Sequence, residues 1–408
     1  MKQKNRVLFL SLILFSTFLH RKGANEAMAE SHIQPPSPIT EFGCGLYREL
    51  AKKPGNLFFS PYSVSTALAM TSAGAKGKTL AEMRKTLHLG DDSHTLMRFL
   101  RESLSGKDDN QVELVTANRL WAKSGQSYDE DFLQLTESNY GAGLTPLDYA
   151  ENPEDARQEI NEWVEKQTKS KIKDLMPKGS ITAATDLVLT NAIYFKGSWS
   201  KPFSKEATRD EEFHPEKGKP TLRPFMHLTE KFPYGENKDF QFLRMNYKSQ
   251  GNGLSMLILL PKKGKSLASL EKKLTAAYFQ NLTPGMGNHE VKVSLPKFRL
   301  EYERRLEEVL PKMGMKLAFD AAKADFSGIR ELKGTEHLSI NVVAHKAFVD
   351  VDETGTEAAA ATGVGMVLTS APIQLEPPKV FQADRPFLFV ILHAHSNAAL
   401  FMGRVAQP

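Results

Sequence analysis

The segment at residues 351–361, with the sequence VDETGTEAAAA, constrains the structure of this chain more than any other segment. It places a run of very small side chains directly after an apolar, strand-like stretch and an acidic turn that contains glycine. Thr356, Ala358, Ala360 and Thr362 occupy alternate positions, so their side chains face one way if the chain is extended. A face of small, uncharged side chains can enter between two strands without steric clash. The same pattern is compatible with an alanine-rich helix or a flexible loop.

Six further motifs decide between these alternatives. In chain order they are NLFFSPYS (56–63), TNAIYFKGSW (190–199), LPKF (295–298), AHKA (344–347), RPFLF (385–389) and LFMGRV (400–405). Together with the first segment they resemble the serpin family of protease inhibitors, in the family's order and over residues 39–407. Six separate motifs in sequence make the resemblance highly specific, whereas the alanine-rich hinge alone would be only suggestive.

The predicted fold class is α+β. Helical patterns fill most of the first third of the chain and strand patterns follow, which is the order expected of an α+β domain. Thr79 and Glu82 match a capping box that would begin a helix, and residues 304–313 are predicted to be helical. The resemblance implies the serpin fold, with three β-sheets, eight to nine helices and an exposed reactive-centre loop.

Nothing in the 408 residues marks an internal domain boundary, so residues 30–408 are predicted to form a single domain. Residues 1–29 have the layout of a secretory signal peptide, with basic residues before a thirteen-residue apolar run that is too short to span a membrane. The expected protein is therefore secreted and extracellular, with no membrane partner. If translation starts at Met28 instead, the protein would be cytosolic.

The net charge gives no reason to expect nucleic acid as a partner. Removing residues 1–29 lowers the formal charge from +5 to +1, because 48 basic and 47 acidic residues remain.

Cys44 is the only cysteine, which excludes an intramolecular disulfide, and its helical, apolar surroundings predict a buried and inert thiol. The chain has a single N-glycosylation sequon, which begins at Asn281, and the following Pro284 makes glycosylation there less favourable.

The sequence offers little support for an enzyme, a metal site or a cofactor. Gly77-Lys78-Thr79 lacks the glycine that a phosphate-binding loop needs five positions earlier, where Ser72 stands. His393 and His395 could offer two metal ligands, but no further ligand motif accompanies them, and exposed positions on an edge strand are the favoured interpretation. We therefore predict no catalytic residue, no metal and no cofactor.

The resemblance implies suicide inhibition of a protease by a monomer. Residues 353–378 would form the reactive-centre loop, whose N-terminal part inserts into the main sheet after cleavage. The hinge residues carried over from the family are Glu353, Gly355, Thr356, Ala358, Ala359, Ala360, Ala361 and Thr362. Family spacing places the cleaved bond between Thr369 and Ser370, with bonds after Leu368 or Met366 as alternatives.

The resemblance also implies two clusters that hold the main sheet closed. A polar cluster would lie beneath the centre of the sheet, and an ion pair beside a tryptophan would lie at its top. The residues are Ser60, Ser63, Asn191 and His345 for the first, and Glu353, Lys297 and Trp199 for the second. The four polar residues could be mistaken for parts of a hydrolytic triad, and the ion pair could be an exposed one that contributes under about 1 kcal/mol.

The composition of the loop limits the choice of protease. No Lys or Arg occurs between Glu353 and Lys379, so a trypsin-like pocket with an acidic base would find no partner. The apolar residues before Thr369 suit elastase-like or chymotrypsin-like serine proteases, and Leu368 would also suit papain-like cysteine proteases. A non-inhibitory serpin acting as a carrier or chaperone is the alternative function. Arg98 and Arg101 are too few to predict activation by glycosaminoglycans.

Overall fold

The computed structural model describes residues 36–105, 111–248, 253–334, 336–356 and 377–408. The described residues form nine α-helices, four of which precede the second strand, as the sequence predicts. In chain order they are α1 (Pro38–Leu50), α2 (Pro61–Ser72), α3 (Gly77–Leu87), α4 (Ser93–Leu104), α5 (Glu130–Tyr140), α6 (Pro153–Gln167), α7 (Leu267–Glu271), α8 (Ala276–Leu282) and α9 (Leu310–Met313).

Fifteen strands occupy most of the remaining described chain. They are β1 (Leu57–Phe59), β2 (Val112–Lys123), β3 (Leu144–Leu147), β4 (Leu187–Ser198), β5 (Arg209–Phe213), β6 (Thr221–Glu236), β7 (Phe240–Asn246), β8 (Leu254–Pro261), β9 (Gly287–Pro296), β10 (Phe298–Arg305), β11 (Ile340–Val351), β12 (Gly355–Thr356), β13 (Lys379–Gln382), β14 (Phe387–His393) and β15 (Ala398–Val405). The α+β prediction is confirmed.

The strands form a six-stranded sheet and a nine-stranded set. The six-stranded sheet has the order β10-β11-β12-β4-β2-β3, and β11 also pairs directly with β4 in parallel. In the nine-stranded set, the long β6 pairs with β5 and β9 along most of its length and with β7 only at its C-terminal end. Because β6 joins two sets of partners in this way, the architecture is consistent with the three sheets that the serpin fold implies.

Helix α2 lies at the centre of the molecule, and all twelve of its residues are buried. Pro61 suits the first turn, and Ser60 caps the helix by accepting a hydrogen bond from the Ser63 amide at 3.0 Å. The helix packs against β15, β2 and β4, so one buried helix contacts both sheets. The capping serine therefore stands where the hydrophobic core meets the six-stranded sheet.

Two predictions about local structure are wrong. Helix α3 begins at Gly77, before the expected capping box, and the hydroxyl of Thr79 instead accepts from the Asp325 amide at 3.0 Å. The carboxylate of Glu82 accepts from the backbone of residues 316 and 317, so both side chains bind another segment of the chain. Residues 304–313 are not one helix, because Arg305 still pairs with Ala344 as the end of β10. Strand pairing there overrides the helical spacing.

Phe58 anchors β1 in the core, and we expect its removal to destabilise the protein strongly. Its ring is fully buried and stacks on Phe401 and Phe389, with ring centroids 5.2 Å and 5.8 Å apart. Phe58→Ala should lower the free energy of unfolding by about 3–5 kcal/mol, measured by urea denaturation. Phe99 is 52% exposed on α4, so Phe99→Ala is the matched control and should change it by about 0.5 kcal/mol or less. Equal urea midpoints for the two variants would show that Phe58 does not anchor β1 in the core.

Candidate functional site

The candidate site is the seam between β4 and β11 in the six-stranded sheet. The two strands pair in parallel from Leu187 to Tyr194 on β4 and from Ile340 to Phe348 on β11. Strand β4 is a continuous apolar run, and its first nine residues are buried, as expected of a strand covered on both faces. The seam is therefore closed along its centre.

At one end of the seam the two strands separate, and the short strand β12 lies between them. Gly355 pairs with Ser198 and Thr356 pairs with Gly197 of β4, while Thr356 also pairs with Val351 of β11. Both pairings are antiparallel, so β12 runs from Gly355 to Thr356 in the direction of the seam. The remaining predicted hinge residues and the predicted cleavage site lie outside the described residues: Ala358, Ala359, Ala360, Ala361, Thr362, Met366, Leu368, Thr369 and Ser370.

A tight turn brings the hinge to this position. The Asp352 carboxylate accepts hydrogen bonds from the backbone amides of Thr354 and Gly355, at 2.8 Å and 3.1 Å. Glycine is required at position 355 because a Cβ atom there would lie 2.0 Å from the carbonyl oxygen of Gly197. The turn needs the carboxylate of Asp352 as a hydrogen-bond acceptor, and the close approach to Gly197 needs a glycine at position 355. These two requirements explain why an acidic residue and a glycine precede the alanine run.

Thr356 is held by aromatic residues at the top of the seam. Its side chain is fully buried, and its hydroxyl lies 2.9 Å from the Tyr247 hydroxyl. The Tyr247 ring stacks on Trp199 with centroids 4.6 Å apart, and the Trp199 indole donates to the Asp352 carbonyl at 3.1 Å. Trp199 therefore lies where the resemblance implies. Tyr247 was missed, because it belongs to no recognised motif.

Glu353 and Lys297 form the ion pair that the resemblance implies. The Lys297 ammonium donates to the Glu353 carboxylate at 2.8 Å, and the Thr208 hydroxyl donates to its other oxygen at 2.8 Å. The Glu353 side chain is only 5% exposed, whereas that of Lys297 is 37% exposed, so the pair is buried on its carboxylate side and reaches solvent on its ammonium side. Burial raises the pKa of Glu353, but the hydrogen bonds from Lys297, its own backbone and Thr208 outweigh burial and leave that pKa lowered.

The four predicted polar residues meet beneath the middle of the seam, and each is fully buried. The Asn191 amide donates to the Ser63 hydroxyl at 2.6 Å, and its oxygen accepts from Nδ1 of His345. The Ser60 amide donates to Nε2 of His345 at 3.3 Å. Because Nε2 accepts and Nδ1 donates, the imidazole is neutral, and burial lowers the pKa of His345 to about 3.

Asn118 of β2 completes this cluster and was not among the residues predicted from the sequence. Its side-chain oxygen accepts from the Ser63 hydroxyl at 2.9 Å and from the Asn191 amide at 2.7 Å. The cluster consequently ties α2 to three strands, β2, β4 and β11. Asn118 lies in a segment predicted only as a strand, and no motif marks it.

The cluster is not arranged for hydrolysis. The Ser60 hydroxyl donates to the Leu400 carbonyl at 2.6 Å, and the Ser63 hydroxyl donates to Asn118, so neither is directed at His345. A nucleophilic serine needs its base within hydrogen-bond reach of the hydroxyl. The geometry instead links strands, and a strand that entered the seam would have to separate His345 from Asn191.

Other candidate residues add no chemistry. His393 was expected on an exposed edge strand, which is wrong, because β14 lies between β15 and β8 and His393 is 1% exposed. No group of three metal-ligating side chains occurs in the described residues. Burial raises the pKa of Cys44 to about 12, as expected of an inert thiol. Asn281 lies exposed on α8, and its glycosylation remains a prediction. Within the described part of the chain, no helix is both long and apolar enough to span a membrane.

Comparisons with known proteins agree with this geometry. The chain is 44% identical to an uncharacterized serpin-like protein of Thermococcus kodakarensis over 91% of this chain and 85% of that protein. It is 40% identical to the leukocyte elastase inhibitor of Equus caballus, over 90% of this chain and 98% of that protein.

A solved structure and a family profile match over nearly the whole domain. The crystal structure of Serpin48 from the insect Tenebrio molitor superimposes with a TM-score of 0.80 at 32% identity, covering 93% of this chain and 99% of that one. Residues 37–408 match the profile described as Serpin (serine protease inhibitor). The seam, the position of β12 and these matches together show that this chain belongs to the serpin family.

Proposed function

We propose that this chain traps an elastase-like or chymotrypsin-like serine protease by inserting its cleaved reactive-centre loop between β4 and β11. The observation that carries the proposal is the position of β12, whose residues Gly355 and Thr356 already lie between the two strands. The chain that continues from Thr356 has small, uncharged side chains at alternate positions. Such a segment can follow β12 into the seam without burying a charge.

The proposed reaction begins as ordinary proteolysis. The protease serine attacks the carbonyl of the residue before the cleaved bond, for which we propose Thr369, and the amino group of Ser370 leaves with the proton. The protease is then joined to the loop by an ester. Insertion of the loop carries the attached protease along the sheet and distorts its active site before water can hydrolyse that ester.

The sheet itself supplies the driving force. At present β4 and β11 share one ladder of backbone hydrogen bonds along the seam. A strand inserted between them would pair with both, so two ladders would replace one. Each added backbone hydrogen bond contributes about 0.5–1.5 kcal/mol net, and a strand adds several. The uncleaved form is thus metastable relative to the cleaved form.

The loop sequence and the relatives support the choice of protease. Residues 354–378 contain no Lys or Arg, and Met366, Val367 and Leu368 precede the proposed Thr369. An apolar pocket of the elastase or chymotrypsin type accepts such residues, whereas a trypsin-like pocket requires a basic one. Several relatives carry the name leukocyte elastase inhibitor, including that of Homo sapiens at 37% identity.

Incubation with a panel of proteases tests the proposal. We expect SDS-stable complexes with elastase-like or chymotrypsin-like enzymes, and a new N-terminus at Ser370. Thr356→Arg would bury an unpaired charge in the seam and should convert most of the protein into cleaved product, raising the stoichiometry of inhibition several-fold. Thr95→Arg makes the same change at an exposed position of α4 and should leave inhibition unaltered.

The outcomes of this panel separate the alternatives. Complexes with papain-like enzymes alone would identify a cross-class inhibitor. Loop cleavage with no complex and no gain in thermal stability would identify a non-inhibitory serpin and would overturn the proposal.

We also propose that the protein is secreted after removal of residues 1–29. Expression of the full chain in a secretory host, with sequencing of the mature N-terminus, tests this second proposal, and retention of residues 1–29 would contradict it.

The ion pair at the top of the seam should act as a latch on the closed sheet. Glu353→Lys would place a second ammonium beside Lys297, so we expect the seam to open and loop–sheet polymers to form on mild heating. Native gels after heating measure the effect. Glu230→Lys is the matched control because its pair with Lys201 is exposed, at 46% and 39% of the two side chains. Glu353→Lys remaining monomeric, at wild-type levels, would rule out the latch.

The polar cluster should make stability depend on pH through His345. Its folded-state pKa of about 3 lies below the ordinary value of 6.5, so stability is full above pH 6.5 and falls towards pH 3. Between pH 7 and pH 5 the loss due to His345 should be roughly 2 kcal/mol, because the unfolded chain binds the proton first.

His345→Gln should remove this part of the pH dependence, as measured by urea midpoints at the two pH values. His337→Gln, at an exposed position, should retain it. An unchanged slope in His345→Gln would show that the buried imidazole does not control stability in this range.

A further inference from the structure

A cavity of about 140 Å³ lies beside the part of β2 that precedes its pairing with β3, and residues of α2, α4, α5 and α6 also line it. Arg119 of β2 and Arg101 of α4 both line it, together with Trp163, Asn139 and Gln167. No acidic side chain is among the described residues that line the cavity. Two guanidinium groups therefore share this space, and the carboxylate of Glu137, which interacts electrostatically with Arg119, is not among the described residues that line it.

Arg119 has one unused hydrogen-bond donor beside this cavity. The central carbon of its guanidinium lies 4.3 Å from the Trp163 centroid and 5.4 Å from that of Trp121, and the two indoles are themselves in edge contact with centroids 5.3 Å apart. The Nε of Arg119 is buried and has no acceptor among the described residues. A guanidinium that packs on an aromatic ring keeps its N–H groups pointing outward in its own plane, so Nε can donate to a ligand.

Arg101 approaches the same cavity from α4. Its guanidinium lies over Gly141, where a Cβ atom would come within 2.1 Å of one of its nitrogens. One Nη donates to the Ser138 carbonyl at 3.3 Å, near the C-terminus of α5. Its ion-pair partner in the described part of the chain is Glu102, at 3.9 Å and 63% exposed, so solvent screens that charge. The glycine thus makes room for a second cation beside Arg119.

We propose that this cavity binds a small oxyanion, namely a phosphate, sulfate or carboxylate group, between Arg101 and Arg119. Oxyanions accept short, charge-assisted hydrogen bonds from guanidinium donors in one plane, which is what Arg119 offers. The volume is sufficient for one such group with a few waters, since a water takes about 30 Å³. A bound oxyanion would bridge α4 to β2, a strand adjoining β4, and would stabilise the closed sheet.

Titration with inorganic phosphate at ionic strength matched with sodium chloride tests this site. The chain has three tryptophans, so labelling their indole nitrogens gives three NMR signals, of which two report on Arg119. We expect a saturable shift of the Trp163 and Trp121 signals, none of Trp199, and a rise in the thermal midpoint. A parallel titration with acetate separates tetrahedral anions from carboxylates.

Variants assign the response to the cavity. Arg119→Gln and Arg101→Gln should each weaken phosphate binding by roughly tenfold or more, since each removes charge-assisted hydrogen bonds. Arg98→Gln, at an exposed position of the same helix, should leave binding unchanged. If Arg119→Gln folds poorly, Arg101→Gln still decides. The absence of a saturable shift, or an equal response in Arg101→Gln and the wild type, would show that the cavity holds only water.

Discussion

The direct pairing of β4 with β11 is the interaction on which the rest of this structure depends. Along the seam the two strands satisfy each other's backbone groups, so the sheet is complete without the reactive-centre loop. At the centre, His345 and Asn191 add a buried side-chain hydrogen bond to that pairing. At the top, Glu353 and Lys297 hold the chain where it turns towards the seam. The seam is therefore closed by backbone pairing, by a buried side-chain hydrogen bond at its centre and by an ion pair at its top.

Separating β4 from β11 would have a free-energy barrier, and inserting a strand between them would lower the free energy by more than that separation costs. Separating the strands leaves buried polar groups unpaired for a time, and each unsatisfied group costs roughly 1–3 kcal/mol. In the mechanism proposed above, the inserted strand would pair on both sides, and the added hydrogen bonds would more than offset this cost. The buried polar groups that must separate would then protect the closed form kinetically until the loop is cleaved.

Much of this site could be predicted from the sequence because its residues stand in contiguous motifs. Ser60 and Ser63 lie in one such motif and His345 in another, and the structure brings the three residues together as the resemblance implies. Asn118 and Tyr247 could not be predicted, since each enters the site only through strand pairing or stacking with residues distant in the chain. The expected helix at residues 304–313 failed for a related reason, because pairing with β11 decides its conformation.

The sequence by itself determined the fold class, the family and the small, uncharged side chains at alternate positions from Thr356 onward, because these depend on residue identity and spacing. Only the tertiary structure decided that Thr356 already lies between two strands, that Glu353 is buried, and that the buried Nε of Arg119 has no acceptor among the described residues. These properties arise from contacts between segments far apart in the chain. Burial, hydrogen bonding and local charge at a residue depend on those neighbours, and the linear order of residues does not specify them.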